Sequence, residues 1–160
     1  MKALTVQQPW AWAIVHGGKD VENRTQAWSY RGPLAIHAGA RMSPRGEQSP
    51  LVREGLRRAA MSDEIPDDYL VRGAILGVVD LVDVHTSWSR HGAITGTVPC
   101  CDSPWAESSY AEHGGRTRRD VVHLVLENPR PLEVPIACRG ALGLWSLPAE
   151  VEAQLEGALR

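Results

Sequence analysis

Phenylalanine is missing altogether from this 160-residue chain, and of its 17 cations only Lys2 and Lys19 are lysines, against fifteen arginines. Genome base composition accounts for a skew of that kind, but it leaves Lys19 as the only internal ammonium. Cysteine is also scarce: Cys100, Cys101 and Cys138 are too few for a disulfide framework, which fits a reducing cytoplasm. The adjacent pair lacks the Cys-x-x-Cys spacing of zinc sites, so no metal is expected there, and no cofactor is expected elsewhere. No run of about 18 apolar residues exists and the first residues carry no charged-then-apolar leader. The expectation is a soluble, unexported, cytoplasmic protein without a membrane partner. An excess of one charge is lacking too. The net charge of −2 gives no whole-molecule attraction for a polyanion and leaves nucleic acid to a local basic patch.

What is present is ordinary globular material, 43% hydrophobic and 22% charged. The length suits one domain over 1–160, burying roughly two-thirds of its unfolded surface. The stretch that organises it is His16-Gly17-Gly18-Lys19-Asp20-Val21-Glu22-Asn23-Arg24. Ahead of it, residues 7–15 read as a short helix with Pro9 at a first-turn position and Trp10, Ala13 and Ile14 on the buried face. The double glycine stops the helix. In the strand that follows, Asp20, Glu22 and Arg24 share one face and Val21 and Asn23 the other, with Lys19 free to swing at the bend. A cation, a carboxylate and a guanidinium at such a junction make either a small polar pocket or a solvated edge strand with ordinary ion pairs.

Leu4–Val6 is a first strand, and Leu34, Ile36 and Ala38 share a face of another. Ser43-Pro44 is an N-cap and N1 pair opening a helix over much of 44–61, with Leu51, Leu56 and Ala59 or Ala60 inward and Arg53, Arg57 and Arg58 outward. The strongest strand, Ala74–Val84, is apolar on both faces until Asp80 and is expected centrally in a sheet, with Gly77 at a bend. Periodicity fails from His85 to Arg118, an insertion that interleaves Trp88, Trp105 and Tyr110 with histidines and arginines. Such a mixture suits base stacking and phosphate contact, or packing of the tryptophans onto the core. Residues 120–127 alternate, Asn128-Pro129-Arg130-Pro131 reads as a turn, and Leu132–Ala137 returns, which predicts a hairpin. A glycine-bearing loop leads to a last strand at Trp145, and Pro148 opens a C-terminal helix over 148–159 with Val151, Leu155 and Leu159 on one face. Five or six strands with short helices give an α+β fold, a small barrel with helical additions.

Gln8-Pro9-Trp10-Ala11, Gly18-Lys19-x-x-Glu22-x-Arg24, Tyr30-Arg31-Gly32, Gly73–Gly77, Glu127-Asn128-Pro129 and Leu144-Trp145 together resemble the ASCH (activating signal cointegrator homology) family of the PUA-like superfamily. The match covers most of residues 2–147, with a variable insertion at about 85–118, and the Gly-x-Lys-x-x-Glu-x-Arg element is its specific part. The resemblance implies a small PUA-like β-barrel, a cleft beside the first helix lined by that element, and a role in binding RNA or DNA. Lys19, Glu22 and Arg24 match the family's cleft motif and Trp10 its helix. Some relatives are reported as ribonucleases, and one subgroup resembles an amidohydrolase on acylated cytidine that uses a lysine, a threonine three residues later and a glutamate further on. Glu22 stands at that threonine's place here.

Three functions are therefore expected to compete. In the first, the chain binds RNA, single-stranded DNA or a modified nucleoside. Lys19, Arg24 and Arg31 would contact phosphate, Glu22 would accept from an exocyclic amino group, and Trp10, Trp28 or Trp105 would stack on a base. In the second, the same cleft hydrolyses an amide or phosphodiester, with Lys19 and Glu22 catalytic. In the third, the charges are structural and the domain is a protein-interaction adaptor.

Overall fold

The computed structural model describes residues 1–61, 71–86, 101–107 and 121–159. In chain order the elements are β1 (Lys2–Gln8), α1 (Trp10–Val15), β2 (Val21–Arg24), β3 (Gly32–Met42), α2 (Pro44–Gln48), α3 (Pro50–Met61), β4 (Ala74–Thr86), β5 (Val122–Ala137), β6 (Leu144–Ser146) and α4 (Ala149–Ala158). The six strands form one mixed sheet in the order β2-β5-β4-β3-β1-β6. β1 runs parallel to β3, pairing Leu4 with Ile36, and antiparallel to β6, while β2 runs antiparallel to β5 and pairs Glu22 with Leu124. The fold is α+β, and among the described residues the ladder has β2 and β6 as its edges. The chain divides into two compact units, one of Met1–Lys19, Pro33–Asp80 and Asn128–Arg160, the other of Asp20–Gly32 and Leu81–Glu127.

In the first unit the central fact is a buried amide. β1 continues to Gln8, two residues beyond the expected strand, and Pro9 sits at the N-cap with no side chain able to accept a hydrogen bond. Gln8 fills that role from the preceding position: its Oε1 accepts from the Trp12 N–H at 3.0 Å, and its Nε2 donates to the Val71 carbonyl at 2.9 Å. Its own carbonyl accepts from Ser43 N–H at 2.6 Å. α1 has six residues, too few to persist alone, and Ala11 through Val15 are all buried rather than one stripe of them. Trp12, not Trp10, is its fully buried anchor. A Cβ at Gly17 would meet the Ala13 Cα at 2.9 Å, and Gly55 lies under the Trp12 ring, so both glycines are contact surfaces for this helix turn.

The segment expected as one helix over 44–61 is two. Ser43 Oγ caps α2 by accepting from Gly46 N–H at 3.2 Å, but Ser49 is extended and Pro50 supplies no N–H, so the chain turns and restarts as α3. The inward residues of α3 are Val52 and Gly55, with Leu51, Leu56 and Ala59 half-buried, while Arg53, Arg57 and Arg58 are exposed as expected. β3 is buried on both faces from Leu34 to Gly39.

β4 is central, as its composition requires, and emerges to solvent after Leu81: Val82 and Asp83 are exposed. Gly77 marks close approach, since a Cβ there would lie 2.6 Å from the Arg130 carbonyl oxygen and 2.9 Å from Val15 Cγ1. The expected hairpin at Asn128–Pro131 does not form. β5 runs unbroken for 16 residues, and the turn-like sequence produces a local distortion with Asn128 at φ 50°. The side chains of that distortion are spent on Asp80: Arg130 Nη2 donates to Oδ1 at 2.6 Å and Asn128 Nδ2 to Oδ2 at 3.0 Å, and the Arg130 bond first, then the Asn128 bond, hold its carboxyl below the usual range. The long 85–118 insertion is described only in part: β4 extends to Thr86, and Trp88, Tyr110, His91, His113 and the arginines at 116–119 lie outside the described residues. α4 packs Val151 and Leu155 against Ala3, Ala35, Ile75, Val78 and Leu132, with Leu159 at the margin, as its pattern predicts.

His37, on β3, is 2% exposed, and its Nε2 donates to the Cys138 carbonyl at 3.1 Å. A Cβ at Gly140 would lie 2.5 Å from its Cε1, and the Trp145 ring meets it edge-on at 5.8 Å. Burial lowers its pKa from 6.5, and the bond to Cys138 only partly opposes this. The unfolded chain thus takes up a proton near pH 6.5 while the folded chain does not, so this contribution to stability is whole above that pH and declines as pH falls below it. In thermal unfolding followed from pH 7.5 to 5, His37→Gln is expected to flatten the fall in Tm below about pH 6.5. Equal slopes for the two proteins would contradict this.

Candidate nucleic-acid interface

The helix stop delivers Lys19. Gly17 N–H and Lys19 N–H both donate to the Ala13 carbonyl, at 3.0 and 2.9 Å, and Gly18 between them takes φ +73° in open space. This is the glycine-dependent C-terminal turn that the sequence predicts, with one helical carbonyl serving two donors. Lys19 is not free to swing, however. It is 4% exposed, and its Nζ lies over the Trp10 ring, 5.5 Å from the centroid. An ammonium with that little water depends on protein groups for its solvation, and a tryptophan face supplies part of it. Trp10 is fixed in turn by its Nε1–H, which donates to Ser43 Oγ at 3.0 Å, the same hydroxyl that caps α2.

In the second unit, β2 is a four-residue edge strand whose charges are not simply solvated. Glu22 is 8% exposed, and Arg24 Nε stands 3.0 Å from its Oε1, so the two share a face as alternation requires. Asn23 points to another task. Its Nδ2 donates to the Trp105 carbonyl at 2.8 Å and its Oδ1 accepts from Glu107 N–H at 3.0 Å, which pins residues 101–107. Ser103 Oγ–H donates to Asp20 in the same segment. Trp105 is 9% exposed, so its ring is a packing anchor, while Trp28 is half-buried. Arg31 is exposed; its Nη1 donates to the Trp28 and Tyr30 carbonyls at 3.0 and 2.9 Å, and its Nη2 lies 3.6 Å from Asp83 Oδ1.

The structure thus joins Lys19 to Trp10 in one unit and Glu22 to Arg24 in the other, and it gives Arg31 to the end of β4. A model of the ASCH domain matches residues 4–134. The chain belongs to the ASCH family. It is 28% identical over 148 residues to human activating signal cointegrator 1, and 28% identical over 149 residues to the mouse protein. Each match takes in 92% of this chain and 22% of the relative, so this ASCH chain spans under a quarter of those proteins. Among solved structures, the ASCH protein of Zymomonas mobilis aligns over 98% of this chain and 93% of its own, with a TM-score of 0.54 at 16% identity. That likeness establishes the ASCH fold. Among the described residues, no helix is long and apolar enough to cross a membrane.

Three participants carry no charge signature and were given no role at the site by the sequence, although Ser43 is legible as an N-cap. Gln8 and Ser43 set the helix that bears Trp10, and Asn23 sits unremarked between the two charges of the Glu-Asn-Arg run. Only the presence of Gln8 and Asn23 inside otherwise specific motif segments hinted at a role. Asn23→Ala removes both bonds that hold residues 101–107, a loss of about 1–3 kcal/mol for part-buried groups left unmet. Urea denaturation should show that loss, and limited proteolysis should show faster cleavage in 101–107. Unchanged stability and unchanged cleavage would refute the clamp.

Proposed function

We propose that this ASCH domain binds single-stranded nucleic acid, RNA foremost, through the Gly18–Arg24 segment and the aromatic that accompanies it. The observation that carries this reading is the retention of charge under cover: Lys19 and Glu22 are 4% and 8% exposed, three positions apart in the chain. Keeping an ammonium and a carboxylate so poorly hydrated costs free energy, and a fold gains nothing from it that well-packed apolar residues would not supply. Buried charges at an element junction are therefore candidates for recognition.

Each group has a fitting role. Lys19 offers a point charge for a phosphate oxygen, and Arg24 a planar fork. Glu22 accepts from an amino group such as cytosine N4, with Arg24 holding the carboxylate in place. Trp10 and Trp28 are half-buried, so part of each surface is open to a base, whereas buried Trp105 serves by holding its own segment. Arg31 adds an exposed cation in the second unit. Single strands fit this set better than a duplex, because stacking and amino-group recognition both need an unpaired base.

The test is fluorescence anisotropy with a labelled single-stranded RNA, across a salt series. Affinity is expected to fall as salt rises, and Lys19→Gln and Arg24→Gln, confirmed folded by circular dichroism, should each weaken binding about tenfold. Each should also reduce the log–log salt slope by about 0.7 per lost phosphate contact. A flat salt response, or folded variants that bind as tightly as the parent, would overturn the reading.

A further inference from the structure

Away from the charged segment, the second unit gathers three potential metal ligands that no local spacing links. His85 comes from the end of β4, Cys101 from the pinned 101–107 segment and His123 from β5. One donor atom from each lies within 4.8 Å of the other two. The adjacency of Cys100 and Cys101 had argued against a zinc site, but spacing along the chain is no guide when ligands converge from separate strands. Cys100 itself lies outside the described residues.

The ring tautomers are what make the cluster more than a coincidence of residue types. His123 Nε2 is 2.9 Å from the Glu107 carbonyl, which can only accept, so that nitrogen carries the proton. Its Nδ1 lone pair is then left toward Cys101 Sγ, 3.5 Å away. His85 is oriented in the opposite sense. Its Nδ1 donates to Asp83 Oδ2 at 2.7 Å, so the lone pair is on Nε2. That Nε2 is buried and has no hydrogen-bond partner among the described residues. An orphaned buried acceptor is destabilising, and a cation would satisfy it. Each histidine thus has one nitrogen fixed by an oxygen, which leaves the other as the lone-pair donor, the outer-shell arrangement that metal-ligating histidines show. Arg31, 3.6 Å from the other oxygen of Asp83, steadies that carboxylate in turn.

We propose that His85 Nε2, Cys101 Sγ and His123 Nδ1 form a three-ligand site for a divalent transition ion, with Zn²⁺ the best match. Two imidazoles and one thiolate suit a borderline-soft ion and exclude Mg²⁺ and Ca²⁺, which take oxygen ligands. Tetrahedral zinc with ordinary bond lengths has ligand–ligand edges of roughly 3.3–3.6 Å. The Cys101–His123 edge already has that length, at 3.5 Å, and the remaining contraction is on the order of 1 Å. On binding, the thiol proton passes to solvent and the S–metal bond replaces S–H. A fourth position is left for water or an incoming ligand.

The experiment is titration of the full, chelator-treated chain with Co²⁺, followed by displacement with Zn²⁺. The expected result is one equivalent bound with intense visible bands of tetrahedral cobalt and a near-ultraviolet thiolate-to-cobalt band, all lost on adding Zn²⁺. Cys101→Ser should abolish the thiolate band. His85→Gln should weaken binding at least tenfold, and Asp83→Asn about 10–100-fold with stoichiometry kept. Cys138→Ser should bind like the parent. Weak six-coordinate cobalt spectra for the parent, or a thiolate band that survives in Cys101→Ser, would overturn the proposal. Should Cys101→Ser fail to fold, the solvent-side His85→Gln decides: undiminished affinity contradicts the site.

Discussion

The carboxamide of Gln8 is the constraint on which the first unit depends. It is fully buried, and a buried amide is tolerable only when both ends are bonded. One end meets the first turn of α1, whose N-cap proline cannot, and the other meets the backbone at Val71 ahead of β4. Strand, helix and the entry to the central strand are thereby set by one side chain. Trp12 fills the space beneath, Trp10 is turned toward Ser43, and the glycine stop places Lys19 over the Trp10 ring. The position of the ammonium therefore follows from neutral groups several residues away.

Asn23 plays the corresponding part in the second unit. Edge strands need a partner or a cover for their open backbone, and here an asparagine side chain recruits residues 101–107. That recruitment brings Cys101 to His123 and buries Trp105, while alternation along β2 leaves Glu22 and Arg24 facing together on the other side. A single four-residue strand thus carries the Glu22–Arg24 ion pair on one face and a structural clamp on the other.

Much of this was legible in the residues. Central β4 announced itself by an apolar run, α4 by its stripe, the end of α1 by Gly17-Gly18, and α2 by Ser43-Pro44. The charged run at 19–24 was legible as unusual, and the family match bears out the resemblance that it helped to carry. Other features were hidden for definable reasons. Asn128-Pro129-Arg130-Pro131 has turn chemistry, yet Asp80 captures its side chains and the strand continues through the distortion. Pro50 opens a second helix where the periodicity alone is continuous. The depth of Lys19 could not be inferred, because burial of a long cation is decided by the ring beneath it, and ring contacts are tertiary. The His85–Cys101–His123 cluster was invisible for the same reason: its members are brought together by strands rather than by spacing.

The proposal that the Gly18–Arg24 segment contacts single-stranded nucleic acid is tested most directly by amide-resolved NMR. A nitrogen-labelled chain titrated with a short single-stranded RNA is expected to show its largest shifts at the amides of Gly18–Arg24 and at the Trp10 indole. Shifts concentrated instead on the exposed arginines of α3, Arg53, Arg57 and Arg58, or no shifts at all, would contradict the account.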